Sequence, residues 1–524
     1  MPLMIINPNT RVWAYSVLVA LSGCLFGGDT GSIGSITEMP QFIAHFGQLS
    51  EFLRGFTVAV ILIPSAITGM FAGSVADRIG RKRTISLGSL IFAAGMGMCV
   101  VAPNLTVLIV GRCVAGSGEG LFLSAGNVYL CEISPKHIRG RIMTMYQMHV
   151  NGALAIGFFV CYGSIQIQSS LAWRLPMIVS TCVGLIAGLG SLFLLPYSPR
   201  WLVSQGRTQE AKAVLALITE HSEEEERKEL LSLPPRGEKT GWIDIFRRGV
   251  RGRTILGAFL NVFQQLSGID FVLFYAPLLF TQAGLDPKTS AFVASGVTGL
   301  ALFATTALAA TWVDKIGRRT LFIWGGLAIA ICHACIGSLY ASGAAYTEGG
   351  KWAIVTLIEL YTIIFAGTWS LVTRLYSTEI QPSRTRSPAS SFCIGVNQLV
   401  NTLVALTSPA FLAKSPFGPY FLYGGLSAFA TAVAYIYMQE TIGKSLETID
   451  SSFHESPTAV TWPPSLLRTG ARRTQAGARR SSRRRSSAAH VDENGKPTFP
   501  GNYAMERLGS SNGSAGLQGS AIED

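Results

Sequence analysis

Asp77-Arg78-Ile79-Gly80-Arg81-Lys82 and Asp314-Lys315-Ile316-Gly317-Arg318-Arg319 are two copies of one phrase, an acid, a glycine and paired cations, each set among long apolar runs. A second shared phrase follows each copy: Glu132-Ile-Ser-Pro135-Lys-His-Ile-Arg139 after the first and Glu379-Ile-Gln-Pro382-Ser-Arg-Thr-Arg386 after the second. Two signatures recurring in the same order predict a chain made of two related halves. Duplicated halves around a central cavity are how alternating-access transporters are built, so movement of a solute across a membrane is the expectation.

Composition agrees. Only 14% of the 524 residues are charged and the mean hydropathy is +0.37, whereas a soluble chain of this length divides into several more highly charged domains. Apolar stretches of about the twenty residues that span hydrocarbon recur. They lie near 12–34, 54–75, 84–103, 107–131, 144–165 and 173–196, then 254–283, 290–313, 320–341, 353–377, 389–412 and 418–438. The fold class expected is therefore an all-α membrane protein of about twelve spans in two six-helix halves. Glycines crowd these spans, as in Gly116-Ser-Gly118-Glu119-Gly120, and small residues let membrane helices approach closely. The scattered cysteines read as packing residues without disulfide or metal spacing; neither a metal nor a cofactor is expected.

Lys and Arg concentrate in alternate connections: Arg78 to Arg83, Lys136 to Arg141, Lys315 to Arg319, and Arg384 with Arg386. Cytoplasmic connections carry the cationic excess, which places both termini in the cytoplasm. No cleavable signal peptide is expected, because the first apolar segment is too long and contains Asp29. Asn104-Leu-Thr106 matches a glycosylation sequon but sits in a connection too tight against the membrane for use.

The reading divides the chain into residues 1–196 (first half), 197–253 (a cytoplasmic linker with short helices at Thr208–Glu220 and Glu223–Leu231), 254–438 (second half) and 439–524 (a disordered tail). The tail mixes Arg472, Arg473, Arg479, Arg480 and Arg483 to Arg485 with Ser, Gly and Ala, a composition that buries no core. It supplies much of the +12 net charge, so that charge is no sign of nucleic acid; attraction to anionic lipid explains it. Arginines just before Ser481, Ser482, Ser486 and Ser487 make these serines candidates for a kinase.

Ionisable residues inside a membrane are costly unless paired or facing water, so each is a functional candidate. Asp29 interrupts span one and Arg112 opens span four. A carboxylate whose pairing with an arginine is made and broken can take a proton on one side and release it on the other. A fixed structural ion pair is the plainer alternative. Gln147, Gln264, Gln265, Asn397 and Asn401 offer amides, each a donor and an acceptor in one plane, suited to vicinal hydroxyls. Singly each is ordinary interhelical glue; together they suggest a polyol or sugar pocket.

From about Ala14 to Lys444 the chain resembles a sugar porter of the major facilitator superfamily. The resemblance rests on Asp29-Thr-Gly31, Gly73 with Asp77 to Lys82, Gly111-Arg112, Glu132 with Arg139, Pro196-x-Ser-Pro199-Arg200-Trp201, Gln264-Gln265-x-Ser-Gly268, Asp314 to Arg319, and Glu379 with Arg386. It implies proton coupling through Asp29 and Arg112, and sugar contacts from Gln147, Gln264, Gln265 and Asn397. It further implies a gating network of Asp77, Arg81, Glu132, Arg139, Arg200, Asp314, Arg318, Glu379 and Arg386 that locks the halves together in the outward-open state. Several positions depart from the family pattern. Tyr197 stands where a Glu is usual, weakening the inner latch; Asp270 stands for Asn, Phe274 for one of a Tyr pair, and Arg374 for a pocket Trp, while Glu119 is unusual in its glycine run. Asp270 and Arg374 are expected in the pocket, paired with each other, a combination resembling a branch of fungal-type sugar porters that includes fructose–proton symporters.

The leading expectation is a plasma-membrane symporter of protons and a monosaccharide, a hexose such as fructose. A facilitative carrier, a porter for uronates or quinate prompted by Arg374, and a non-transporting sugar sensor are the alternatives. No nucleotide loop or metal cluster supports an enzyme.

Overall fold

A computed structural model describes residues 8–135, 137–218, 242–282, 284 and 296–455. The described residues are helical throughout, in the order the apolar runs predict. The first half contains α1 (Pro8–Glu38), α2 (Leu62–Ile79, preceded by the short Glu51–Ala59), α3 (Arg81–Val100), α4 (Leu105–Ile133), α5 (Arg139–Ser164) and α6 (Leu171–Leu194). The second contains α7 (Arg251–Gln265, resuming as Ile269–Gln282), α8 (Thr298–Ala309), α9 (Arg318–Ala341), α10 (Glu348–Gly367, resuming as Trp369–Glu379), α11 (Arg386–Lys414) and α12 (Gly418–Tyr437).

Among the described residues, 10 helices are long and apolar enough to cross a membrane. The two expected spans outside that group have simple explanations. Arg139, Arg141, Gln147, His149 and Asn151 dilute the hydropathy of α5, although it runs for 26 residues. α8 is 12 residues long, and part of the chain before it lies outside the described residues. Exposure is inverted relative to a soluble protein. Phe193, Trp324, Leu308 and Leu194 are more than half exposed, while Arg112, Glu119, Arg139, Arg318 and Arg386 are almost wholly buried. An apolar exterior of this extent belongs against lipid.

The duplicated phrases adopt duplicated backbone. Gly80 has φ +91° and ψ 147°, and Gly317 has φ +95° and ψ 153°. Only glycine takes this conformation cheaply, and at each place it ends one helix and starts the next within a single residue. The halves meet along two seams. In the α2–α11 seam, Ser387 Oγ donates to the Gly73 carbonyl at 3.0 Å, and a Cβ on Gly73 would lie 2.3 Å from the Ser387 carbonyl oxygen. In the α5–α8 seam, Asn151 Nδ2 donates to Thr306 Oγ1 at 2.8 Å.

Outside the bundle, Pro199–Ser204 and Thr208–Ile218 are helical, whereas the second expected linker helix, Glu223–Leu231, lies outside the described residues. The boundary expected at 439 falls later. Leu446–Glu455 is a helix that buries Leu446, Ile449 and Phe453 in the second-half core and pairs Asp450 with Arg253 of α7. The apolar spacing of three and four residues carries one amphipathic turn after another, a signal lost when the polar tail is averaged as a whole. The kinase-candidate serines lie outside the described residues. Asn104 caps α4, its Oδ1 accepting from Val107 N at 3.0 Å.

Candidate functional site: a central cavity and a charged end

Between the halves lies a cavity open to solvent. α1 contributes Phe26, Gly27 and Thr30, α5 contributes Gln147 and Asn151, α7 contributes Gln264, Gln265 and Asp270, and α10 contributes Ser370 and Arg374. The breaks in α7 and α10 make this lining possible. At Gly268 (φ +86°) α7 stops and restarts, and a Cβ there would meet the Tyr423 ring at 2.7 Å. The freed Ser267 carbonyl is satisfied inside the protein by His333 Nε2 at 2.9 Å and Tyr361 OH at 3.0 Å. Broken helices are tolerated at membrane depth when such partners exist. After the α10 break, Trp369 turns away from the cavity, stacking on Phe322 with centroids 4.4 Å apart, while Arg374 faces into it.

The amides divide into two layers. Gln147, Gln264 and Gln265 line the cavity. Asn397 stands behind them: its Nδ2 donates to Gln264 Oε1 at 3.1 Å and to the Asn261 carbonyl at 2.8 Å, and its Oδ1 accepts from Gln265 Nε2 at 3.3 Å. It therefore orients the two glutamines instead of joining them at the cavity wall. Asn151 was not foreseen among them. One helical turn after Gln147, it shares that residue's face, accepts from Gln147 Nε2 at 3.2 Å and crosses to Thr306.

Asp270 and Arg374 both line the cavity, but the expected pairing between them is absent. The polar contact of Arg374 is Nη1 to Gln147 Oε1 at 3.4 Å, and no carboxylate of the described residues pairs with its guanidinium. The two side chains come from different helices, so the register that would bring their tips together was not readable from either segment alone.

Asp29 and Arg112 do meet. Arg112 Nη1 donates to Asp29 Oδ1 at 2.9 Å and Nη2 to Oδ2 at 3.1 Å, a two-pronged pair buried between α1 and α4. Nη2 also donates to the Val58 carbonyl at 3.0 Å, just before α2. Asp29 is adjacent in sequence to Thr30 of the cavity wall.

The repeated signatures gather at one end of the bundle. In the first half, Arg81 joins Asp77 at 2.9 Å and Glu132 at 3.1 Å, and Ser198 Oγ donates to the second Glu132 oxygen. In the second, Arg318 joins Asp314 at 3.2 Å and Glu379 at 3.4 Å, and Thr441 Oγ1 donates to Glu379 Oε2 at 2.7 Å. Links cross between the halves here: Arg139 meets Glu379 at 3.5 Å, and the Asp314 carboxylate accepts from Gly140 N at 3.1 Å and Arg141 N at 2.9 Å at the start of α5. Arg386 differs from expectation. Its Nη2 donates to the Gln381 carbonyl at 3.1 Å, and it forms no ion pair among the described residues. Arg200 lies on the short helix Pro199–Ser204 that Ser198 caps. Tyr197 stacks on Trp201 with centroids 5.0 Å apart, and its face collects Lys82 at 5.3 Å, Arg83 at 5.7 Å and Arg207 at 5.5 Å.

Residues 15–453 match the family model described as sugar (and other) transporter. This chain is a sugar porter of the major facilitator superfamily. It is 30% identical to Sugar transport protein MST7 of Oryza sativa subsp. japonica, over 84% of this chain and 90% of that protein. Its fold matches the proton:xylose symporter XylE bound to 6-bromo-6-deoxy-D-glucose, with TM-score 0.73 and 25% identity over 84% of this chain and 99% of that one. Against the inward open conformation of the xylose transporter from E. coli the TM-score is 0.62, at 25% identity over 84% and 99% of the two chains. The porter is thus a multi-pass membrane protein that transports sugar and belongs to a non-enzymatic family, as its sequence implied.

Proposed function

We propose that this porter takes up a monosaccharide, a hexose, together with protons across the plasma membrane, with both termini in the cytoplasm. The observation that carries the reading is the buried Asp29–Arg112 pair beside the cavity wall. Charge-assisted, two-pronged bonds fix the Asp29 carboxylate against Arg112; sugar contact with Phe26, Gly27 or Thr30 moves the same stretch of α1 and with it Asp29. Loss of the pairing leaves a desolvated acid that takes up a proton. Gln147, Gln264, Gln265 and Asp270 supply acceptors, and the glutamine amides and Arg374 supply donors, for the hydroxyls of one ring.

Sugar uptake into proteoliposomes with an imposed proton gradient tests this. Wild-type protein should accumulate hexose above the external concentration, and Asp29→Asn should lose accumulation while retaining sugar exchange. Accumulation by Asp29→Asn that still collapses with a protonophore rules out this assignment.

One observation favours a second reading. Because Arg374 faces the cavity without a paired carboxylate among the described residues, it offers a fork matched to an anionic sugar such as a uronate. Asp270 in the same cavity offsets that charge, and for this reason the neutral sugar remains the proposal. Neutral hexoses should displace labelled hexose and galacturonate should not. Inhibition by the acid alone, with neutral hexoses inert, establishes the second reading.

A further inference from the structure

Glu119 lies at the middle of α4 with no exposed surface, between glycines whose absent side chains let two other helices close on it. A Cβ on Gly118 would lie 2.3 Å from the Gly88 carbonyl oxygen of α3, and one on Gly120 would lie 2.3 Å from the Ser65 carbonyl oxygen of α2. Its hydrogen bonds come from Ser65 Oγ at 2.9 Å and from Gln398 Nε2 at 3.1 Å, both to Oε1. Gln398 belongs to α11, so this contact joins the two halves. Among the described residues no cation pairs with Glu119.

The donors in this cluster are all spent. The Ser65 hydroxyl proton goes to Glu119, and the two Gln398 amide protons are directed at Glu119 Oε1 and at Ser65 Oγ, the latter at 3.3 Å. Two buried acceptors remain without partners, Glu119 Oε2 and Gln398 Oε1. They belong to the same two side chains, already joined by one bond. A carboxylic acid and a primary amide satisfy each other with two parallel hydrogen bonds, and that arrangement needs one proton on the acid. An ionised carboxylate here would lack both a cation and a partner for Oε2, a costly condition in a low-dielectric interior.

We propose that Glu119 is a second proton-binding site of this porter, whose proton joins Glu119 Oε2 to the Gln398 carbonyl oxygen and fastens the first half to the second. The proton is held while α4 and α11 are in contact and passes to water when they part. The inference rests on movement of the halves and not on coupling through Asp29. The charged and titratable groups whose fields reach Glu119 are Asp29 of α1, Arg112 of α4, Tyr146 of α5 and Arg374 of α10. Arg112 is engaged by Asp29, and seven residues separate it from Glu119, about 10 Å along the helix. α2, α3 and α11 carry their charges near their ends, at Asp77, Arg78, Arg81, Lys82, Arg83, Arg386 and Lys414.

Infrared spectroscopy of the purified full chain tests the site directly, through the carbonyl stretch of a protonated carboxyl group. Wild-type protein should show this band near neutral pH, and Glu119→Gln, which keeps a donor toward Gln398, should lose it. Asp29→Asn should retain it, which separates this site from the proposed coupling residue. Gln398→Met provides a second measurement if Glu119→Gln does not fold: the band should persist but shift toward that of a carbonyl with fewer hydrogen bonds. A band that survives Glu119→Gln, or that does not move in Gln398→Met, overturns the proposal; a band removed by Asp29→Asn instead assigns the proton to Asp29 and overturns it equally.

Discussion

The two halves build nearly the same charged end from nearly the same residues, yet the corresponding acids Glu132 and Glu379 hold different partners. Each has a left-handed glycine, Gly80 or Gly317. Each has an arginine between two acids, Arg81 or Arg318. Each places a hydroxyl, from Ser198 or Thr441, on the farther acid. Glu379 reaches across to Arg139, and Asp314 caps α5 of the other half. Glu132, the first-half counterpart of Glu379, bonds to Arg81 of its own half and to Ser198 of the linker. Duplication therefore preserved the local chemistry while these two acids came to hold different partners.

The largest effect should come from removing each of these two acids in turn. Glu379→Gln takes the carboxylate from Arg139 and weakens the set around Arg318, both almost wholly buried. Removing one partner of a buried ion pair costs about 3–5 kcal/mol. Glu132→Gln leaves Arg81 its bond to Asp77 and leaves the links of Glu379 and Asp314 to α5 intact. Thermal unfolding should thus fall further for Glu379→Gln than for Glu132→Gln. Equal losses in the two variants would show that the link from Glu379 to Arg139 adds nothing to stability.

The next comparison lies one layer farther out. Glu440 accepts from Arg318 N at 2.8 Å and Arg319 N at 3.1 Å, capping α9. The matching place in the first half belongs to Tyr197, which cannot accept from α3 in this way and instead covers Lys82 and Arg83 with its ring. A carboxylate at a helix start combines a cap with a favourable dipole contact, about 1–2 kcal/mol together. Glu440→Ala should lower the unfolding temperature, and Glu440→Gln, which keeps an acceptor but no charge, should recover part of the loss. Full recovery by Gln would reduce the role of the carboxylate to hydrogen bonding alone.

The duplicated phrases made this architecture legible, because each carries its own geometry: the glycine must turn, and the neighbouring arginine must meet its acids. Asp29 and Arg112 were legible for a similar reason, since a buried acid and a buried base in one half have few other partners. What stayed hidden depended on register between helices. Asn397 and Gln264 looked equivalent as buried amides, and the packing of α11 behind α7 is what leaves Gln264 at the wall and Asn397 behind it. Asp270 and Arg374 shared a cavity in the expectation and do so in the structure, but sharing a cavity does not bring charges into contact. Asn151 carries a readable signal, its place four residues after Gln147 on the same helix face, although asparagine in a membrane helix has many bland uses. Glu119 stood out as unusual, but Gln398 and Ser65, the residues that give it meaning, come from two other helices.

The smallest effect, and the one that sharpens the comparison most, is expected from Tyr197→Glu. The substitution gives the first half the capping acid that the second half has in Glu440, beside Lys82 and Arg83 at the start of α3. An added anion at a helix N-terminus gains about 0.3–1 kcal/mol. Against this, Lys82, Arg83 and Arg207 lose the ring over which they lie, a contact of about 0.5–1 kcal/mol each at exposed sites, and Trp201 loses its stacking partner. Three cations cannot all hold one face at full strength, so the terms nearly cancel and stability should change by less than about 1 kcal/mol. Salt distinguishes the two mechanisms. Screening over about 10 Å at 0.1 M weakens the new carboxylate's attraction more than it weakens close packing on a ring, so the variant should lose ground to the wild type as ionic strength rises. A large, salt-independent loss would mean that Tyr197 acts through packing against Trp201 and Gly80, and that the first half replaced an electrostatic latch with an apolar one.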